Sequence, residues 1–303
     1  MTLHSFGRDV EFLVKGAPAR WIVFCLVPLM VSHRELLARF LERIASDDRL
    51  ASLYTVPLVS LLMLWRDTER DFPVQGAWRG IAGVACALGV VSGVLRATLF
   101  QGEWASVVEW AVVVFSLAAG FGLFYGWASL RSRMAAFSLL AFTAPPPEET
   151  VTFVEGLLQR GSADLAGYLI SVLGVTYIRE GMVFFLPGIT VEVARECSGV
   201  RSAIALVIAA FVFGRLMMRT NASRLAVIVW AVPVAIIKNA IRIAVLATLA
   251  VWSSPDVLHG PLHQYGGLVF GGVAIPLFAP VVLSLLHNEG RRKNIQQVHV
   301  STE

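Results

Sequence analysis

The sequence predicts an all-α polytopic integral membrane protein, a bundle of about eight transmembrane helices. Three observations predict it. Of 303 residues, 56% are hydrophobic and only 15% charged, whereas a soluble domain carries about a quarter charged residues. The mean hydropathy is +0.70. Apolar runs of the length that crosses about 30 Å of hydrocarbon recur along the whole chain.

The runs fall at about 19–32, 51–65, 79–100, 106–128, 132–144, 200–218, 225–251 and 266–286. The first, from about Arg20 to Ser32, lacks the basic–apolar–small-residue order of a cleaved signal peptide and reads as a retained span. The second and fifth are short, so they are either re-entrant or extended by flanking residues that snorkel. After the fifth, Pro145-Pro146-Pro147 cannot continue a helix and marks a boundary. Residues 151–175 then mix apolar and polar groups at helical spacing, with Gln159, Arg160 and Asp164, which predicts an interfacial helix rather than a span. From Tyr177 to Glu196, Pro187-Gly188 and a β-branched run predict a loop or short hairpin.

The net charge is +4, but the arginines lie between spans rather than in one patch. They therefore report topology, and the partner they imply is the lipid bilayer, not nucleic acid. Arg66, Arg70 and Arg79 flank one connection and Arg131 and Arg133 another; Arg215, Arg219 and Arg224 flank a third, and Arg291, Arg292 and Lys293 follow the last run. All fall on one side if both termini are cytoplasmic. The loop 33–50 is the exception, with four Arg beside four acidic residues.

Chemistry concentrates in the last three runs. Cys197 stands in Glu196-Cys197-Ser198-Gly199-Val200-Arg201-Ser202, at the entrance of the sixth. Arg242 lies inside the seventh, in Lys238-Asn239-Ala240-Ile241-Arg242-Ile243, and His263 precedes the eighth, in His263-Gln264-Tyr265-Gly266-Gly267. The charge bias puts all three in the outer leaflet, with Arg242 roughly 13 Å deep. A helix N-terminus and the nearby Arg201 favour the thiolate of Cys197. His263 has the chemistry of a base for the thiol and an acid toward a leaving amine. Arg242 can stabilise an oxyanion or hold a carbonyl or carboxylate, with Asn239 one turn earlier to position it. An arginine inside a membrane costs a few kcal/mol and usually has a partner. Lys238 lies one turn from it, and Glu192 and Glu196 are candidate acidic partners.

Each feature also has a structural reading. A cysteine in an apolar run packs as a small hydrophobe, as expected of Cys25 and Cys86, and a histidine at an interface is often merely solvated. An odd cysteine count argues against a disulfide framework. His259 and His263 have i, i+4 spacing, but no His-Glu-x-x-His pattern accompanies them, so neither a metal nor another cofactor is expected. His4, His33, His287 and His299 fall in loops or termini. Gly266, Gly267, Gly271 and Gly272 permit close helix contact.

On Glu196-Cys197-Ser198-Gly199-Val200-Arg201-Ser202, Pro233…Asn239-Ala240-Ile241-Arg242-Ile243 and His263…Gly267…Phe270, the chain resembles the exosortase/archaeosortase family of membrane proteins. Weaker similarity reaches back to Pro145-Pro146-Pro147. The resemblance implies one membrane-embedded domain over 1–303, with a catalytic half at about 145–286 and a cytoplasmic tail at 287–303. It places the family's catalytic Cys, Arg and His on Cys197, Arg242 and His263, with Arg201, Asn239 and Glu196 in support. The implied activity is that of a cysteine peptidase or transpeptidase in the cell membrane, with its site on the extracytoplasmic side. Its implied partners are exported proteins bearing a C-terminal signal of short motif, transmembrane helix and basic tail, and an envelope acceptor. Many relatives carry an acidic residue where Gln264 follows His263, so an acid that orients the histidine would come from elsewhere. Two other classes fit the spans: a polytopic transporter with an ion path along Arg242 and Lys238, and a non-catalytic assembly factor for polysaccharide export. No inverted repeat relates the two halves, which counts against the transporter.

Overall fold

The computed structural model describes residues 30–31, 33–66, 83, 87, 89–91, 93–95, 102–144, 146–193, 199–258 and 266–300. Most of the expected spans 19–32 and 79–100, together with Cys25 and Cys86, lies outside these. The chain divides into two compact units, Met1–Glu148 and Glu149–Glu303. The division falls just after the triple proline.

The first unit contains α1 (Arg34–Ser46), a 3-10 segment (Asp48–Tyr54), α2 (Thr55–Arg66), α3 (Glu103–Tyr125) and α4 (Trp127–Ala141). Leu36, Phe40 and Ile44 recur every four residues of α1 and bury one face, with Phe40 stacked on Trp110 at 5.0 Å between ring centroids. Leu117, Phe121, Leu130 and Phe137 join α3 to α4. Three of the four arginines of 33–50 meet carboxylates. Arg39 pairs with Glu109 at 3.0 Å, Arg43 with Glu148, and Arg49 with both Asp47 and Glu148. This expected loop is mostly helix.

The second unit starts with α5 (Glu148–Val172) at the boundary. Three short strands follow, β1 (Ile178–Glu180), β2 (Val183–Leu186) and β3 (Ile189–Glu192), an antiparallel meander in that order. The hairpin expected over 177–196 is thus present, with Pro187-Gly188 as its second turn. Then come α6 (Val200–Met217), α7 (Asn221–Trp252), α8 (Gly266–Gly271) and α9 (Ala274–Val300). The core sits where Ala163, Ala166 and Ile170 of α5 meet Ala240, Ile243, Ala244 and Ala247 of α7 under Phe184 and Leu186 of the sheet. Lower down, Leu158 packs with Val200, Ala203 and Ala235. A Cβ added to Gly161 would lie 3.3 Å from Ile236. Hence α5 runs beside α7 in the same direction. One face of it packs in the core, while Phe153, Leu157, Tyr168 and Val172 stay exposed on the other. Its alanines let the two helices approach closely.

Two corrections concern the spans. Four stretches among the described residues are long and apolar enough to cross a membrane: Trp104–Gly122, Val200–Met217, Asn221–Trp252 and Val269–Arg291. The protein is a largely helical integral membrane protein, and the structure does not give the expected count of about eight spans. α2 has 12 residues and α4 has 15, so at 1.5 Å per residue they extend roughly 18 and 22 Å, short of about 30 Å of hydrocarbon. The expected tail 287–303 is helical as far as Val300, because α9 continues past the membrane-length stretch. A break at Gly272-Val273 separates α8 from α9.

Candidate active site

α7 and the α8–α9 pair are antiparallel, and three contacts fix their register. At one end, Glu289 accepts hydrogen bonds from the backbone N–H groups of Arg219 and Thr220 at 3.0 and 2.9 Å and from the Thr220 hydroxyl at 3.0 Å. In the middle, Trp230 Nε1 donates to the Leu277 carbonyl at 3.0 Å. At the other end, Gly266 faces Arg242, where an added Cβ would lie 3.3 Å from the guanidinium Nε. Only a glycine lets the opening of α8 come so near that side chain.

α6 meets α7 at the same level. Gly199 adopts a left-handed conformation with φ of +80°, and an added Cβ would lie 3.1 Å from the carboxamide carbon of Asn239. Its carbonyl accepts from Ala203 N and from the Ser202 hydroxyl, both at 2.9 Å, which starts the helix. Two apolar segments therefore begin against one turn of α7: α6 at Asn239 and α8 at Arg242.

Of the six residues singled out by sequence, three are described. Asn239 is buried and Arg242 half-buried, one turn apart on α7, while Arg201 is exposed in the first turn of α6. Glu196, Cys197 and His263 lie outside the described residues, as does His259. In sequence, Gly199 is two residues from Cys197 and Gly266 three from His263. The described residues that meet at this turn of α7 are Gly199 beside Asn239 and Gly266 beside Arg242. Arg242 is ten residues from the end of α7, yet α6 and α8 both start at its level, so the depth expected for it is depth within its own helix only.

Lys238 is 5% exposed. Its expected partner Glu192 is exposed on β3 and makes no ion pair with it. Among the described residues no group of three His, Cys, Asp or Glu side chains could hold a metal ion. Sequence reasoning missed Gln159, whose Nε2 donates to the carbonyl of Val193, 34 residues on. No local pattern announces a bond over that separation.

A helical membrane protein in which two apolar segments, α6 and α8, begin against one polar turn of a third, α7, is the class this arrangement defines. The chain belongs to the transmembrane exosortase family, whose sequence profile matches residues 44–279. No curated protein and no solved structure matches it.

Proposed function

We propose that this protein is a membrane-embedded cysteine peptidase or transpeptidase that cleaves the C-terminal sorting signal of exported proteins. The observation that supports the reading is that Gly199 and Gly266, which open α6 and α8 just after the Cys197 and His263 motifs in sequence, lie against Asn239 and Arg242. His263 takes the proton of the Cys197 thiol, and the resulting thiolate attacks the scissile carbonyl. Arg242 stabilises the oxyanion of the tetrahedral intermediate, and His263 then returns the proton to the leaving amine. The resulting thioester passes to an amine of an envelope acceptor or to water. Asn239 and Arg201 support this centre, and Glu196 supplies a negative charge beside it.

From Thr220 to Arg242 along α7 is roughly 33 Å at 1.5 Å per residue, close to the thickness of the hydrocarbon layer. In this reading the centre lies at the extracytoplasmic end of the spans, where a substrate's short motif leaves its own transmembrane helix. The cell membrane is the location, and the catalytic half begins at about residue 145.

The test is processing of a co-expressed exported protein with a motif–helix–basic-tail terminus, followed by intact-mass analysis. Wild type cleaves it. Cys197→Ser, Arg242→Ala and His263→Ala, at equal membrane abundance, abolish cleavage. The transporter reading draws on the buried Lys238 beside Arg242, and it predicts that Cys197→Ser changes nothing. Unaltered processing by Cys197→Ser would sink the covalent mechanism.

A further inference from the structure

We propose that α5 is a further transmembrane span, its exposed face covered by lipid hydrocarbon and its two ends on opposite sides of the membrane. Length and apolarity alone do not select it. Its 25 residues extend roughly 37 Å at 1.5 Å per residue, enough to cross about 30 Å of hydrocarbon with some tilt. Its packing decides the direction. Leu158 shares a cluster with Ala235 of α7, and a Cβ added to Gly161 would lie 3.3 Å from Ile236. Ala163, Ala166 and Ile170 share the next cluster with Ala240, Ala244 and Ala247. The two helices advance together along this seam, and α7 is one of the stretches long and apolar enough to cross a membrane. A helix lying flat in the interface cannot keep step with one that crosses it. Carried back at the same step, Glu149 comes level with the first turns of α7, near the α6–α7 turn, while Val172 leads into the sheet at the other end.

The two faces of α5 are made for different neighbours. Phe153, Leu157, Tyr168 and Val172 line the exposed one at helical spacing. Most of the polar residues that hold down its average hydropathy turn inward. Glu155 and Ser162 are buried, and Gln159 donates to the Val193 carbonyl. Two charges remain outside. Asp164 pairs with Arg179 of β1 at 2.8 Å, and Arg160 Nε donates to the Gly156 carbonyl at 3.1 Å. Each has a partner within the protein, as a polar group beside hydrocarbon requires. Asp164 lies roughly 22 Å along the helix from Glu149 and Tyr168 roughly 28 Å. The ion pair and the tyrosine therefore fall at the far boundary, where aromatic side chains anchor spans. Continuity identifies the occupant of the exposed face. Leu225 and Val229 of α7, level with the start of α5, are exposed as well, so the hydrocarbon around α7 meets Phe153 and Leu157 at the same depth.

The experiment places single cysteines in the full chain carrying Cys25→Ala, Cys86→Ala and Cys197→Ala. Glu149→Cys reports the start of α5, Thr190→Cys the sheet beyond its far end, and Leu157→Cys the face between; all three positions are exposed in the fold. Cells expressing each variant are treated with a membrane-impermeant maleimide before and after permeabilisation, and the mass shift of the chain is followed in time. Expected is that one of Glu149→Cys and Thr190→Cys reacts in sealed cells and the other only after permeabilisation. Leu157→Cys reacts at least tenfold more slowly than either in permeabilised cells, because lipid keeps the reagent from it. Labelling of both ends from the same side overturns the proposal, whichever side it is. Leu157→Cys reacting as fast as the ends overturns it too. Thr150→Cys and Glu180→Cys, also exposed, replace an end variant that does not accumulate. Substrate processing enters none of these measurements, so processing that survives Cys197→Ser would sink the thiol-enzyme reading and leave the path of α5 decided.

Discussion

A Cβ added to Gly199 or Gly266 would press closely on Asn239 or Arg242, the two polar residues of α7 at which α6 and α8 begin. At Gly199 the cost is double: φ of +80° disfavours any residue with a Cβ by about 1 kcal/mol or more, and that Cβ would press on Asn239. Gly267, one residue after Gly266, has nothing within 4 Å of its added Cβ. Gly199→Ala and Gly266→Ala are therefore expected to cut substrate processing at least tenfold, and Gly267→Ala to leave it within twofold. Mass analysis at equal membrane abundance checks this. The motif glycines were visible in the sequence as helix-packing residues. Their specific partners were not, since a glycine in a string says nothing about which side chain approaches it.

The helices divide into those that the sequence describes well and those that only packing explains. α6 and α7 are long apolar runs whose bounds were legible to within a few residues, whereas α9 runs to Val300, beyond the expected end at 286, and the break between α8 and α9 was not legible. α5 was legible as a helix but not in its place, because its burial depends on alanines and on partners in α7 some eighty residues on. The same limit hid the Gln159–Val193 bond. A different long-range tie closes the opposite end of the bundle, where Glu289 of α9 caps the α6–α7 turn. Glu289→Ala leaves two backbone donors and the Thr220 hydroxyl without that acceptor. The loss of such a cap costs about 1–2 kcal/mol. A lower melting temperature in detergent, with the Cys197 alkylation profile intact, is the expected result. A fall in thiol reactivity would instead show that the two ends of the bundle are coupled.

For the molecule as a whole, acid stability follows from the first unit. The Arg49 side chain hydrogen-bonds Asp47 and holds its carboxyl below the ordinary carboxylate value, with smaller help from the Arg49 backbone and the charge of Arg43. A group whose folded value is depressed stabilises the fold above its unfolded value, near pH 4, and that contribution disappears as pH falls through the folded value. Asp47→Asn is therefore expected to melt lower than wild type at pH 6, with the gap closing toward pH 3. Melting curves across that range decide it, and a gap independent of pH would assign the effect to packing. Three of the four arginines that made 33–50 the exception to the charge bias meet carboxylates in the fold.

The meander between α5 and α6 separates two tasks. Its last strand delivers the chain to Val193 and the thiol segment, while its Pro187-Gly188 turn is exposed and tied to neither end. Doubling the length of such a loop costs only about 0.6 kcal/mol in closure entropy. Over evolutionary time the turn is thus free to lengthen and acquire new side chains, while the strand beneath it stays packed against the core.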